Sequence, residues 1–299
     1  MQPTWNGVYP AVTTQFKENG ELDLPAFKHN LKAQLEAGVH GFIIGGSLGE
    51  SSTLTHDERV ILLSQAKEVA SGKIPVLLNI AEGSTQQAIM LARRAQDNGA
   101  DGLMVLPPMM YRPTDAETVA YFRTVAQSTD LPILIYNNPV DYKVEVTPDM
   151  FEELLQLENI QAVKESTRDT SNVTRLYNRF GERLKILCGV DTLALEELLM
   201  GAHGWVAGLV DAFPRETVAI YTLAKAGRVE DARAIFRWFL PILELDISPQ
   251  LVQNIKLAEL MTGMGTEHVR PPRMKLAGAE RERVRQIIQR GLDTRPKLS

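Results

Sequence analysis

The sequence predicts an α/β protein: a closed (β/α)8 (TIM) barrel with a C-terminal helical extension. Short apolar runs alternate with amphipathic stretches. The runs are almost continuously hydrophobic, which is typical of parallel strands covered by helices. A Gly-x-x-Gly tetrad also recurs before apolar runs, and repetition of one unit indicates a repeated strand–helix architecture. The number of runs, eight, favours a closed barrel over an open doubly wound sheet.

The apolar runs are predicted to be the barrel strands. In each tetrad the first Gly is expected to end a helix in the left-handed conformation, and the second opens the next strand. The tetrads are residues 38–41, 99–102 and 201–204. The predicted strands are residues 8–13, 42–44, 76–80, 103–106, 133–136, 162–164, 185–188 and 205–207.

Several helix starts carry capping signals. Thr55 begins a capping box, Ser84 precedes an amphipathic stretch, and Thr147 stands before a proline at the first helical position. After Ala224 the alternation stops, and three helices are predicted in succession, at residues 228–245, 249–261 and 279–290. We therefore predict a barrel over residues 1–224 and a helical appendage over residues 225–299.

The composition limits the function classes. The chain has 299 residues, 44% hydrophobic and 23% charged, with a net charge of -5, as in ordinary soluble proteins. Mild acidity without basic clusters argues against nucleic-acid binding. No run approaches the ~18 apolar residues of a membrane span, and no secretory signal is visible at the start. The lone cysteine, Cys188, is predicted to fill the core and suits a reducing compartment, so the cytoplasm is the expected location.

Three clusters follow predicted strands at the end where (β/α)8 barrels hold their active sites. A Gly-rich loop containing Ser47 follows the second strand, Tyr136 ends the fifth and Lys164 ends the sixth. Alone, Tyr136 would be a strand-end aromatic and Lys164 a rim lysine. Their joint placement at neighbouring strands favours a common pocket, in which a hydroxyl, a phenol and an amine converge.

A lysine in such a pocket has a specific chemistry. Its ordinary pKa is near ~10.4, so the free amine is scarce at neutral pH. Burial can lower that pKa by roughly three units, equivalent to about 4 kcal/mol. The amine can then attack a ketone, and the cationic imine that forms stabilises a carbanion or enamine at the adjacent carbon.

The Gly-rich loop, residues 45–52, allows several interpretations. Its Gly-x-Ser-x-Gly run matches the nucleophile elbow of serine hydrolases, but about five residues separate Gly49 from the expected helix start at Thr55. The Gly-x-Gly-x-x-Gly fingerprint of dinucleotide sites is not present. The remaining interpretations are an anion cradle of successive backbone N–H groups and a simple turn.

Three ordered motifs resemble the dihydrodipicolinate synthase/N-acetylneuraminate lyase family of class I Schiff-base aldolases. They are Gly46-Ser47-Leu48-Gly49-Glu50, Tyr136-Asn137-Asn138-Pro139 and Lys164-Glu165-Ser166. Lys256-Leu257-Ala258 and Val269-Arg270-Pro271-Pro272 resemble the family's C-terminal pattern. The resemblance implies a (β/α)8 barrel, usually a homotetramer, whose lysine forms a Schiff base with the keto group of a 2-oxo acid such as pyruvate.

The resemblance also implies site roles. Lys164 is expected to form the imine, Tyr136 to shuttle protons, and Ser47 to extend that relay. The N–H groups of Ser47 and Leu48 are expected to hold the substrate carboxylate. The other expected substrate-binding residues are Gly46, Met110, Tyr111, Asp141 and Val206. Neither cofactor nor metal is required, and the five histidines show no paired ligand spacing.

Three departures separate this chain from the synthase branch of the family. One of two threonine hydroxyls is lost, because Ser47 and Leu48 stand there. Asp141 replaces an arginine that clamps a substrate carboxylate. Met110 replaces a tyrosine that completes a relay across a subunit interface, with Tyr111 one position away. We therefore predict a lyase for a hydroxylated 2-oxo acid rather than dihydrodipicolinate synthesis.

Other functions stay open at this point. One alternative is a dehydratase or deaminase of a hydroxyproline-derived pyrroline carboxylate, with Asp141 bonding a hydroxyl or an amine. A second is a serine hydrolase with Ser47 as nucleophile and His203 or His268 as base. A third is a non-catalytic keto-acid-binding barrel, because relay hydroxyls are lost. The expected partners are a small 2-oxo acid and copies of the chain in a tetramer or dimer, without nucleic acid or membrane.

Overall fold

The structure, a computed structural model, describes residues 1–108 and 111–298. Its described part contains one sheet of eight parallel strands in the order β1-β8-β7-β6-β5-β4-β3-β2. The strands are β1 (Gly7–Pro10), β2 (Phe42–Ile44), β3 (Val76–Ile80), β4 (Gly102–Val105), β5 (Ile133–Asn137), β6 (Ile160–Glu165), β7 (Lys185–Cys188) and β8 (Gly204–Ala207). This order confirms the predicted barrel.

The barrel closes between its first two strands through a short contact. Ala11 forms a parallel bridge with Ile43, and the N–H of Val12 donates to the Ile43 carbonyl over 3.0 Å. The first strand was expected to run to Thr13, but it ends at Pro10. Beyond Pro10 the N–H of Ala11 still donates to the Ala207 carbonyl of β8 over 2.9 Å, while the bridge to Ile43 joins the same residue to β2.

Helices cover the barrel, and the predicted caps are confirmed. Thr55 forms a complete capping box, and the Ser84 and Thr147 side chains accept hydrogen bonds from the first turns of their helices. The barrel helices are α1 (Leu24–Glu36), α2 (His56–Ala70), α3 (Thr85–Asp97), α4 (Asp115–Ala126), α5 (Pro139–Tyr142), α6 (Pro148–Leu154), α7 (Ser171–Phe180), α8 (Ala194–Leu199) and α9 (Pro214–Lys225).

The Gly-x-x-Gly tetrads act as predicted. Gly38, Gly99 and Gly201 follow helices with φ of +89°, +77° and +107°, a conformation that favours glycine. Gly204 opens β8, where a Cβ would lie 2.5 Å from the carbonyl oxygen of Gly7. The second Gly therefore lets two strands approach closely.

Three further helices follow the barrel: α10 (Val229–Leu243), α11 (Leu251–Thr262) and α12 (Gly278–Asp293). α10 packs against α9 and α12, and Trp238 Nε1 donates to the Gly291 carbonyl over 3.0 Å. The predicted helix ends differ from the observed ends by one to three residues. The division of the chain into a barrel over residues 1–224 and a helical appendage over residues 225–299 stays a prediction. In the part of the chain that the structure describes, no helix has the length and apolarity to cross a membrane.

One buried carboxyl makes stability depend on pH. Glu197 in α8 is 1% exposed, and within the described residues neither carboxyl oxygen has a hydrogen-bond partner. Burial raises the pKa of Glu197 from 4.5 to about 8. Between these values the folded protein binds more protons than the unfolded chain. Stability attributable to this group is therefore complete below the unfolded pKa and falls as pH rises, by up to about 1.4 kcal/mol per pH unit.

We expect Glu197→Gln to flatten this pH dependence. An amide of similar shape carries no charge, so the variant should melt at a higher temperature than the parent at pH 8, and the difference should shrink towards pH 5. Thermal unfolding followed by circular dichroism measures both. Glu196→Gln, on the exposed neighbouring residue, is the control. Equal slopes for parent and Glu197→Gln between pH 5 and 8 would contradict this expectation.

Candidate active site

The carboxyl ends of the strands surround a cavity of about 90 Å³. The structure brings together there most of the residues that the sequence singled out. Those that line the cavity are Gly46, Ser47, Leu48, Tyr136, Asp141, Lys164 and Val206. A Gly-rich loop, a phenol and an amine therefore share one small enclosed space, as expected from their positions at strand ends.

Lys164 points into this cavity. It pairs with Tyr136 of β5 and Leu187 of β7 in the sheet register, and it is 7% exposed. Its Nζ lies 4.0 Å from the centroid of the Tyr136 ring. Burial lowers the pKa of Lys164, since the ammonium form loses hydration. The site therefore favours the neutral amine, which is the nucleophilic form.

Tyr136 is held by Asn138, which the sequence analysis did not assign to the site. Asn138 Nδ2 donates to the phenolic oxygen over 3.1 Å, and its Oδ1 accepts from the Asp141 N–H at the start of α5. Burial raises the pKa of Tyr136 to about 12, so the phenol keeps its proton. The signal was present in Tyr136-Asn137-Asn138-Pro139, because asparagine before proline is a common helix cap.

The hydroxyl of Ser47 differs from expectation. It was expected to extend a relay from Tyr136, but it forms its hydrogen bond with the Tyr142 hydroxyl at 2.5 Å. The Tyr142 ring lies 5.5 Å from that of Tyr136 and nearly perpendicular to it. Burial raises the pKa of Tyr142 as well. Two phenols rather than one therefore stand beside the amine.

Tyr111, which was predicted to bind the substrate, lies outside the cavity. Tyr111 is 57% exposed and does not line the cavity, so its expected place among the substrate-binding residues is not supported in the single chain. Met110 lies outside the described residues. The chain thus offers Tyr142, and not Tyr111, as the second phenol of the cavity.

The Gly-rich loop presents free donors. Within residues 1–108 and 111–298, no acceptor takes the N–H groups of Ser47 and Leu48. The turn is closed instead by Ser51 N–H donating to the Gly46 carbonyl over 3.1 Å. A Cβ at Gly49 would lie 2.8 Å from the Val12 carbonyl oxygen, so the loop packs directly on the chain after β1. Such paired N–H groups can bind a carboxylate.

The C-terminal helices anchor this loop through Glu50, which is fully buried. Lys256 Nζ of α11 donates to Glu50 over 2.6 Å, and the N–H of Arg270 donates to the second carboxylate oxygen over 3.0 Å. Lys256 also donates to the His268 carbonyl. The two C-terminal segments that resemble the family pattern therefore position the loop after β2.

Four other polar side chains belong to the site, and of these only Ser166 stood in a sequence motif, Lys164-Glu165-Ser166. Ser166, Arg168 and Asp246 line the cavity from loops. Asp191 lies buried beneath it, accepting from Trp205 Nε1 over 2.9 Å and from the Leu209 N–H over 2.8 Å. The sequence neighbourhoods of Arg168, Asp191 and Asp246 carry no such pattern, so only the folded loops reveal these three side chains.

The geometry gives no support to a serine hydrolase. His203 Nδ1 accepts from the Ile186 N–H over 3.1 Å and precedes β8, at the barrel end opposite to Ser47. His268 faces Lys275 at 3.5 Å. Across the two described ranges, Ser47 has no hydrogen bond to a histidine. Ser47 therefore lacks the base that a nucleophilic serine needs.

Known proteins resemble this chain along nearly its whole length. A family model described as "Dihydrodipicolinate synthetase family" matches residues 4–291. The 4-hydroxy-tetrahydrodipicolinate synthase of Aquifex aeolicus is 31% identical over 287 residues, covering 96% of this chain and 97% of the relative. That of Methanoculleus marisnigri is 30% identical over 290 residues, covering 95% and 98%.

A solved structure agrees with these sequence matches. The 4-hydroxy-tetrahydrodipicolinate synthase from Methylacidiphilum fumariolicum SolV superposes with a TM-score of 0.92 at 29% identity, covering 96% of each chain. The fold and the sequence of nearly the whole chain thus correspond to one group of proteins. The chain therefore belongs to the dihydrodipicolinate synthetase family, and it is a class I lyase that works through a lysine Schiff base.

Proposed function

We propose that this chain acts on a small hydroxylated 2-oxo acid, by dehydration or aldol cleavage, and does not carry out the condensation for which its relatives are named. The single observation that carries the proposal is Asp141. Its carboxylate lines the cavity where the synthase branch has an arginine that binds a substrate carboxylate. A second negative charge at the far end of a substrate would be repelled there.

Imine formation is common to dehydration and aldol cleavage, and the groups that line the cavity can carry it out. The neutral Lys164 amine attacks the C2 ketone, and loss of water leaves the cationic imine. The N–H groups of Ser47 and Leu48 receive the substrate carboxylate. Tyr136, protonated beside Lys164, supplies the proton that the departing water needs. All these groups come from the chain itself, so the proposal needs no cofactor.

The second half of the reaction depends on which substrate group the Asp141 carboxylate contacts. Asn138 Nδ2 donates to one Asp141 oxygen over 2.8 Å, and the Arg168 guanidinium lies 3.7 Å from the other. These contacts orient a carboxylate that can accept a hydrogen bond from a substrate hydroxyl. A hydrogen bond to a charged group of this kind contributes about 1.5–3 kcal/mol.

A second candidate is the hydrolytic opening of a hydroxylated pyrroline carboxylate. Asp141 lines the cavity, and a carboxylate suits a cationic ring nitrogen. Lys164 would add to the ring C=N carbon, and the ring would open as the C–N bond breaks. The hydroxyl would then be eliminated as water. Two waters would hydrolyse the amine-bearing carbon, which releases ammonia, and the imine at Lys164. One water is therefore consumed overall.

Turnover with a substrate panel tests the proposal. We expect the parent protein to convert a 4-hydroxy-2-oxo acid or a 4-hydroxypyrroline carboxylate with a kcat/KM at least about 100-fold above that for pyruvate with aspartate semialdehyde. Asp141→Asn should lower the favoured kcat/KM about tenfold or more, consistent with loss of a charged hydrogen bond. Glu145→Gln, exposed and close by in the sequence, is the control. Efficient synthase turnover by the parent would overturn the proposal.

The proposed location and assembly of the protein follow from the same family resemblance. We propose that the chain works in the cytoplasm as a homo-oligomer and binds neither nucleic acid nor membrane. The support is the family resemblance, the mild negative charge and the single buried cysteine, Cys188. Exposed apolar side chains at Tyr177, Leu199 and Met200 provide a surface for contact between copies.

A further inference from the structure

Asp246 contributes a further carboxyl group to the cavity wall. It lies between α10 and α11, half-buried, with its side chain in the cavity wall. Its Oδ1 would lie 2.7 Å from a Cβ at Gly208, so the carboxyl group packs closely over the backbone after β8. In the part of the chain that the structure describes, no donor makes a hydrogen bond to this carboxyl group.

A second unpartnered group faces the same space. Ser166 is 1% exposed and lines the cavity, and its Oγ has no hydrogen-bond partner among the described residues. A Cβ at Gly189 would lie 2.1 Å from this oxygen. Buried hydroxyls are nearly always bonded in folded proteins. The same Cβ would lie 2.6 Å from Lys164 Cγ, so the hydroxyl lies beside the lysine side chain and can bond a polar group of the substrate.

The charges around Asp246 favour its neutral form. Burial is the main cause that raises its pKa well above the ordinary value, and the nearby negative charges of Asp191 and Asp141 add to it. Lys164 and Arg168 oppose this shift. These influences together favour the protonated carboxyl group, which can donate a proton.

We propose that Asp246 is the acid that protonates the departing hydroxyl of the substrate, with Ser166 bonding the same oxygen. This step rests on the proposed function. After imine formation a proton leaves C3 and gives the enamine. The enamine electron pair then forms the C3=C4 bond while the C4–O bond breaks. The Asp246 proton joins the oxygen to give water, and Asp246 regains a proton from the one released at C3.

Asp246 suits this step better than the phenols do. The pKa of Tyr136 is about 12 after burial, and Tyr136 lies beside the imine nitrogen at Lys164. A protonated carboxyl group is an ordinary general acid, whereas a phenol with so high a pKa gives up its proton less readily. Tyr136 therefore serves imine formation, and Asp246 serves the leaving group.

Asp246→Asn separates this step from Schiff-base formation. We expect the variant to trap pyruvate on borohydride reduction, and to exchange the C3 protons of pyruvate with deuterium, within about twofold of the parent. Elimination of water from a 4-hydroxy-2-oxo acid should fall by about 100-fold or more. In the parent, the rate of elimination should decrease at alkaline pH, and this decrease should be lost in the variant. Glu244→Gln, on an exposed neighbour, should match the parent.

A substrate with a better leaving group completes the test. Fluoride departs without prior protonation, so Asp246→Asn should eliminate fluoride from a 4-fluoro-2-oxo acid at a rate close to that of the parent. Full dehydration activity in Asp246→Asn would overturn the role of Asp246 and leave the proposed function intact. A parent protein that traps no oxo acid would remove the proposed function, and the role of Asp246 with it.

Discussion

Lys164→Ala is expected to lower turnover by roughly 10⁴-fold or more, since removal of a covalent nucleophile costs at least that much in comparable enzymes. The residue is 7% exposed, faces the cavity, and has a pKa lowered by burial. Without the amine no imine forms, and the electron sink that drives later steps is lost. The measurement combines steady-state kinetics with the intact mass after borohydride reduction in the presence of a 2-oxo acid.

Two controls make the Lys164 result specific. Lys164→Arg keeps a positive charge but supplies no nucleophilic amine, so it should also fail to trap. Lys185→Ala removes a lysine at the start of the adjacent strand and should trap normally. An unchanged mass adduct in Lys164→Ala would show that another amine carries the chemistry.

Lys256→Met is expected to destabilise the protein by about 3–5 kcal/mol, because it removes the buried partner of the Glu50 carboxylate and leaves it with the guanidinium of Arg273, 3.8 Å away. Both side chains are fully buried, and their contact is 2.6 Å. Glu50 ends the Gly-rich loop, so the donors at Ser47 and Leu48 should also lose their fixed positions. Urea unfolding gives the change in free energy, and KM for the 2-oxo acid reports on the loop.

A substitution at Glu50 shows whether the unpaired carboxylate causes the loss of stability. The double variant Lys256→Met with Glu50→Gln should recover part of the stability, because the remaining buried group is neutral. Lys275→Met, at an exposed position, is the control. If the single variant unfolds at the same urea concentration as the parent, the pair does not hold the loop.

Local patterns were sufficient to predict the barrel and part of the site. Apolar runs and tetrads place strands and turns because each depends only on neighbouring residues. Lys164 and Tyr136 could be placed on adjacent strands because parallel order and short loops leave few arrangements. The chemistry of the amine then followed from its surroundings.

The rest depends on contacts that local patterns do not contain. The partner of Ser47 is Tyr142, which lies on a helix of only four residues, too short to show periodicity. Asp246 reaches the cavity from a loop between two helices. Neither the direction of a loop side chain nor its burial follows from spacing, because both are set by the packing of distant segments.

Glu50 and Lys256 are separated by 206 residues in the chain. A ribosome thus exposes the carboxylate long before it has made the ammonium group that neutralises it. Until α11 emerges, the nascent polypeptide contains all eight barrel strands, but the loop after β2 lacks the lysine that anchors it. Competence to bind the ligand consequently arrives at the end of translation, and chains cut short before α11 should be recognised by proteases as incomplete.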